Sequence, residues 1–155
     1  MPTPQTRNPV SSANLMGHPL HPMLVTLPIG LFTAVLLCDI VFWFNAEAGW
    51  ATAAFWLLAA GLLAAAAAAV AGLVDFTGDR RIRDISDAWH HAIGNVIMVL
   101  VQAFSLYFRY RYGTSAVVPV GLASSVIAVA IMLFPGWKGG ELVFRHRVAV
   151  YDEPR

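Results

Sequence analysis

The chain has 155 residues, one domain's worth, and 58% are hydrophobic against 12% charged. A water-soluble protein of this size carries about twice that charged fraction, so a membrane-embedded chain is expected. A net charge of +1 gives no clustered basic surface and excludes nucleic acid as a partner.

Residues 1–16 are polar and lack an apolar centre, so they read as a flexible N-terminal tail rather than a cleavable signal peptide. The membrane domain is expected over 17–150, with 151–155 as a C-terminal tail. Four stretches reach the roughly 20 apolar residues that a hydrocarbon layer demands: 22–44, 50–74, 89–108 and 117–134. The first, MLVTLPIGLFTAVLLCDIVFWF, ends in interfacial aromatics. Its Cys38 is the chain's one cysteine, so no intramolecular disulfide forms. The second, WATAAFWLLAAGLLAAAAAAVAGLV, is rich in alanine and glycine, which let neighbouring helix backbones approach closely. The short links at 45–49 and at RYRYGTS make two tight hairpins, with the polar DFTGDRRIRDISD between them. The expected fold is an all-α integral membrane four-helix bundle of two antiparallel hairpins, both termini on the same side.

That side holds Arg7, Arg80, Arg81, Arg83, Lys138, Arg145, Arg147 and Arg155, and the other only Arg109 and Arg111. The bias places the termini and the middle connection in the cytoplasm, in a bacterial inner membrane. His18, His21, His90, His91 and His146 then all fall at the cytoplasmic face. Hydropathy does not require that.

The motif HPLHP opens the first span. Proline disfavours the α region for the residue before it and suits a first helical turn. It thus reads as a stiff lead-in, with His21 near the cap and Pro22 in the first turn. Ser86 is the expected N-cap of the third span, with Asp87 and two histidines in its first turns. The positive end of a helix dipole and partial burial both favour uncharged imidazole, the form that binds metals. At 100° per residue, His91, Asn95, Met98, Gln102 and Ser105 share one face, a polar stripe that should point into protein. That makes His91 the inward histidine in preference to His90. Asp39, near the far end of the first span, is expected to pair with Arg109 or to reach the interface.

Carboxylates gather at the histidine end as well. Asp75 ends the second span and Glu141 follows the fourth, so each hairpin runs from a histidine to an acid, His21 to Asp75 and His91 to Glu141. A parallel repeat about an axis normal to the membrane is one reading of this. Glycines 136, 139 and 140 should turn the chain sharply after the fourth span. Residues 141–151 then read as a short amphipathic segment, with Glu141 and Arg145 at i,i+4 spacing and His146 carried back to the helices.

HPLHPMLVTLPIGL, the LVDF that ends the second span and GWKGGELVFRH after the fourth resemble the bacterial membrane domain called domain of unknown function 2231, over about 17–150. The first and last of these motifs are the more specific. The resemblance implies about four spans. Some members are joined to a Rieske iron–sulfur domain, which implies a redox setting, although this chain has no Cys–His pairs for such a cluster. The family pattern often has histidine where Thr26 stands and glycine where Arg147 stands, so a site using the former would be altered here.

Three functions are compatible with these residues. The first is an electron-transfer module holding haem b between His21 and His91, with Arg80, Arg81 and Arg83 on the propionates and a quinone or iron–sulfur protein as redox partner. The second is a non-haem iron, zinc or manganese site drawn from His18, His21, His90, His91, Asp75, Glu141 and His146. The third is a structural or partner-binding subunit with no cofactor. Transport would require a homodimer to enclose a pathway. Hydrolysis has no support, because no serine or cysteine nucleophile sits near these histidines. An electron-transfer or binding module is expected rather than a stand-alone enzyme.

Overall fold

The computed structural model describes residues 8–151. A two-residue antiparallel strand pair, β1 Asn14–Leu15 and β2 His18–Pro19, precedes the helices. These are α1 Leu20–Leu24, α2 Thr26–Asn45, α3 Ala48–Gly78, α4 Arg80–Arg83, α5 Ser86–Tyr112 and α6 Leu122–Phe144. Three stretches are long and apolar enough to cross a membrane: Leu20–Asn45, Ala48–Gly78 and Ser86–Phe144. The last contains both α5 and α6, which are parted by Gly113 at φ 60 and by extended backbone at Val118. Leu63, Leu100 and Leu133 lie on the outer surface, and large apolar side chains are exposed along every long helix. An apolar exterior of that extent is a lipid-facing one. The protein is a helical membrane protein.

Helix α2 packs chiefly on α3 and α5 chiefly on α6, while α2–α6 and α3–α5 contacts join the two hairpins more loosely. The inner face of α3 is a stripe of small residues, Ala51, Ala54, Gly61, Ala65, Ala68 and Ala71, with Leu58 the one large side chain. Small residues bring the backbones close. Gly61 shows how close, since a Cβ there would lie 2.6 Å from the Phe32 ring. Phe32, Val35, Leu58, Met98 and Ala128 lie in the core.

The two hairpins repeat each other in register. Moving the first helix forward by 70 residues (21 to 91, 39 to 109) lays Pro28 on Met98, Phe32 on Gln102, Val35 on Ser105 and Asp39 on Arg109. All eight residues are buried. Moving α3 by 67 (54 to 121, 68 to 135) lays Ala54 on Gly121, Leu58 on Ser125, Gly61 on Ala128 and Ala68 on Pro135, again all buried. The parallel repeat lies in these inward positions and not in the terminal acids.

Several local expectations are corrected. Helix α6 starts at Leu122, after a 3₁₀ turn at Gly113–Ala116, and continues to Phe144 with Pro135 inside it. Glycines 136, 139 and 140 therefore do not turn the chain, because packing on α5 holds the helix through them. Residues 141–151 are not one amphipathic segment: Glu141 to Phe144 complete α6, and His146 and Val148 then fold back to bond Glu141 O and Leu142 O. Arg147 in that turn has φ 55. That left-handed backbone is one glycine adopts without strain. Ile85 rather than Ser86 is the N-cap of α5.

The described part of the N-terminal stretch is tied down. Val10 N–H donates to Asp79, and the Ser11 hydroxyl and Ala13 N–H both donate to Asp75. Asn8 donates to Val150 O and Ala149 N–H to Pro9 O, so the described ends of the chain lie side by side. Residues 1–7 and 152–155, Arg7 and Arg155 included, lie outside the described residues.

Candidate functional site

His21, the second histidine of HPLHP, stands on α1, and His91 in the second turn of α5. Their rings meet edge to face, centroids 5.8 Å apart and planes at 83°. Each ring reaches across to the second helix of its own hairpin. His21 Nδ1 is 2.7 Å from Ala68 O on α3, and His91 Nδ1 is 2.8 Å from Pro135 O on α6. A carbonyl oxygen can only accept, so Nδ1 carries a proton in both rings, and in the neutral form of each Nε2 is the nitrogen with the lone pair. A backbone carbonyl on the remote nitrogen is how metal-binding histidines are commonly oriented.

Four residues beyond each carbonyl stands a glycine, and each imidazole lies over it. A Cβ on Gly72 would be 2.8 Å from His21 Nδ1, and one on Gly139 would be 3.1 Å from His91 Cε1. Equivalent carbonyls and equivalent glycines thus hold two equivalent histidines. The Asn95 amide donates to His91 O at 2.9 Å and, at 3.2 Å, to His91 Nε2. The sequence placed Asn95 on the inward face; it did not single out the carbonyls or Gly72, and it read Gly139 as a turn residue.

The other residues of the expected sites are engaged elsewhere. Asp75 holds Ser11 and Ala13, and Glu141 faces Arg145 at 3.3 Å. His146 sits 3.0 Å from Asp87, which also takes Lys138 at 2.8 Å, a bridge between the start of α5 and the end of α6. His18 bonds its ring to Met16 O, and exposed His90 packs 6.4 Å from Phe134 on the outer side of α5. No three His, Cys, Asp or Glu side chains come together as a metal cage among the described residues. The multi-ligand set is therefore not assembled, because its carboxylates tie chain ends and helix ends together.

Of the three arginines, Arg83 donates to Phe76 O and Thr77 O at the end of α3. Arg81 grips Asp79 at 2.7 Å, and that pairing holds the Asp79 carboxyl well below its ordinary value, at about 2. Arg80 makes no side-chain bond among the described residues.

At the opposite end of the helices, the second equivalent pair also meets. Arg109 Nη2 lies 2.6 Å from Asp39 Oδ2, which accepts at 2.6 Å from the Ser125 hydroxyl as well, and Arg109 Nε reaches Ser105 at 3.3 Å. Both charged side chains are almost wholly buried, at 2% and 0% exposed. Pairing rather than interfacial reach is the outcome for Asp39.

Residues 17–152 match the family model described as a predicted membrane protein, DUF2231. The chain belongs to the DUF2231 family. No curated protein and no solved structure matches it. The match covers the HPLHP lead-in, both histidines of the pair and the turn at Arg147, so this DUF2231 chain carries the whole site within the matched residues.

Proposed function

We propose that this DUF2231 protein is an electron-transfer module that holds haem b between His21 and His91. The observation that carries the reading is the pair itself: two imidazoles from equivalent places in two hairpins, each fixed through Nδ1 on a backbone carbonyl, with Asn95 the group that a ligand on His91 Nε2 would displace. The ring centroids are 5.8 Å apart, within the span that one metal with bonds of about 2 Å to each nitrogen could bridge. Haem iron needs only two protein donors, because the macrocycle supplies the other four. A bare ion needs a third, and no His, Cys, Asp or Glu supplies it among the described residues. The donor set therefore fits haem better than non-haem iron or zinc. When bound, haem would supply one-electron chemistry; His21 and His91 would hold it, and the chain supplies their orientation and an apolar surround. The pair lies at the join between the hairpins, the looser of the helix contacts. Arg80, at the same end, is the guanidinium left for a propionate.

The same reading takes α2, α3, α5 and α6 as four crossings of a bacterial inner membrane, with the histidine end cytoplasmic and a quinone or iron–sulfur protein as electron partner. The support is the arginine bias, since the histidine end carries Arg80, Arg81, Arg83, Lys138, Arg145 and Arg147. Reporter fusions after Asp84 and after Val150 should report the cytoplasm, and insertions at Ala46 and Thr114 the other side. Both sets on one side would end the four-crossing topology.

Absorption spectra of the detergent-purified protein, oxidised and reduced, decide the cofactor. A Soret band that shifts on reduction, and is lost in His21→Ala and in His91→Ala, is expected. A colourless protein with stoichiometric metal would replace haem with a non-haem ion. Neither signal, with both variants folding, would leave a structural or partner-binding subunit.

A further inference from the structure

Between the histidine pair and the Asp39–Arg109 pair, one face of α5 is polar and turned inward: Asn95, Gln102, Ser105 and Arg109, with Met98 among them. In the first hairpin the equivalent positions are Val25, Phe32 and Val35, and Leu58 stands where Ser125 does. The join between the hairpins therefore has one apolar wall and one polar wall. Gln102 is 0% exposed, and neither end of its amide has a protein partner; Asp39 Oδ1 and Arg109 Nη1 are also buried without one. Buried polar groups left unpaired are rare and costly, and in a lipid-embedded chain an inward polar side chain marks a functional path. Gln102 takes the place where the other half has a phenylalanine ring, and its amide is the smaller group.

We propose that this face of α5 binds a file of internal water running from Asn95, past Gln102 and Ser105, to the Asp39–Arg109 pair. Asn95 and Gln102 are two helical turns apart, about 10 Å of rise at 1.5 Å per residue, and Gln102 and Arg109 are the same distance again. Water donates to Gln102 Oε1 and Asp39 Oδ1 and accepts from Gln102 Nε2 and Arg109 Nη1, which satisfies all four atoms. The file joins the far end of the helices to Asn95, the donor to His91 Nε2, by hydrogen bonds that never enter lipid. The inference does not depend on haem.

Hydroxyl-radical footprinting of the whole chain in detergent micelles tests it, because X-ray radiolysis of a bound water oxidises the side chain touching it. Met98, a core residue that stands between Asn95 and Gln102 on that face, borders the file and is 5% exposed; Met16, 92% exposed, is the solvent reference. The expected result is oxidation of Met98 to an extent comparable with Met16, reduced severalfold by Gln102→Leu while Met16 is unchanged. A wild-type Met98 that stays unmodified overturns the file whatever the variant does, and so does a Met98 rate that Gln102→Leu leaves alone. Thermal melting gives a second reading. A dry Gln102 makes its leucine variant melt higher, by removal of an unpaired amide, and that rise would also overturn the file; an unchanged or lower melting temperature supports it.

Discussion

His21 and His91 lie across bare helix backbone, and two glycines make that possible. A methyl at Gly72 would sit 2.8 Å from His21 Nδ1, inside any tolerable contact, and one at Gly139 would be 3.1 Å from His91 Cε1. Gly72→Ala should therefore displace His21 from Ala68 O and weaken any cofactor binding and thermal stability together, with Gly139→Ala the milder of the two. Gly136, on the same helix with nothing within 4 Å of its would-be Cβ, is the control. Gly136→Ala should raise stability by up to about 1 kcal/mol from helix propensity alone. Melting curves of the three variants check the order, and equal effects would mean that the rings do not rest on Gly72 and Gly139. Arg147 makes a second residue-scale case. Its φ of 55 is one that glycine adopts without strain and a side chain does not. Arg147→Gly should gain about 1 kcal/mol by relieving a left-handed non-glycine residue, measured by thermal melting; no gain would show that Arg147 is held there by contacts worth as much.

At the scale of elements, the carboxylates act as ties. Asp79 accepts from Val10 N–H and pairs with Arg81, and its carboxyl titrates at about 2 instead of near 3.8. A folded-state value below the unfolded one means a contribution that is complete above pH ~4 and lost as pH falls through the window from 3.8 to about 2. The amide resonance of Val10 should accordingly stay unchanged down to pH 4 and move with a midpoint near 2; a midpoint at the ordinary carboxylate value would mean that Arg81 does not hold the group. This use of acids is also where the sequence was least legible. The apolar runs of α2, α3 and α5 are readable because hydrocarbon thickness and helical rise set their lengths. Asp75 and Glu141 looked like ligands because they share an end with the histidines, yet same-end placement does not specify direction. Asp75 points to the N-terminal segment and Glu141 to Arg145. The extent of α6 was hidden for a related reason. Pro135 and three glycines signal a turn locally, and packing against α5 overrides them: a Cβ on Gly94 would meet Pro135 at 3.2 Å.

Over the whole molecule, the repeat brings two inward residues of the first hairpin against their own counterparts, His21 against His91 and Asp39 against Arg109. The face of His91 was legible from helical phase, and the Asp39–Arg109 pairing from position; the repeat showed only in His21 and His91 opening the two hairpins, and its extension through the buried positions was not legible, because most equivalent residues differ in type. That difference gives a test of how far the equivalence extends into packing. Asp39→Asn or Arg109→Gln alone should cost about 3–5 kcal/mol, the range for stripping a buried charge of its partner. Asp39→Arg with Arg109→Asp restores opposite charges and, were the halves interchangeable, would restore stability too. Two contacts say that it will do so only in part. Arg109 fits because Gly121 lacks a side chain, a Cβ there being 2.7 Å from Nη2, while the equivalent residue for an arginine at 39 is Ala54. Asp39 is also held by the Ser125 hydroxyl, and the equivalent of Ser125 is Leu58, which donates nothing. Adding Ala54→Gly to the swap should therefore regain more stability, whereas Leu58→Ser would lose more in core packing than its hydroxyl returns. Melting temperatures in detergent should rise from the single variants to the double swap and again to the triple variant with Ala54→Gly. A swapped pair no more stable than either single variant, and unimproved by Ala54→Gly, would confine the repeat to backbone register and leave the two ends of the join unrelated in their packing.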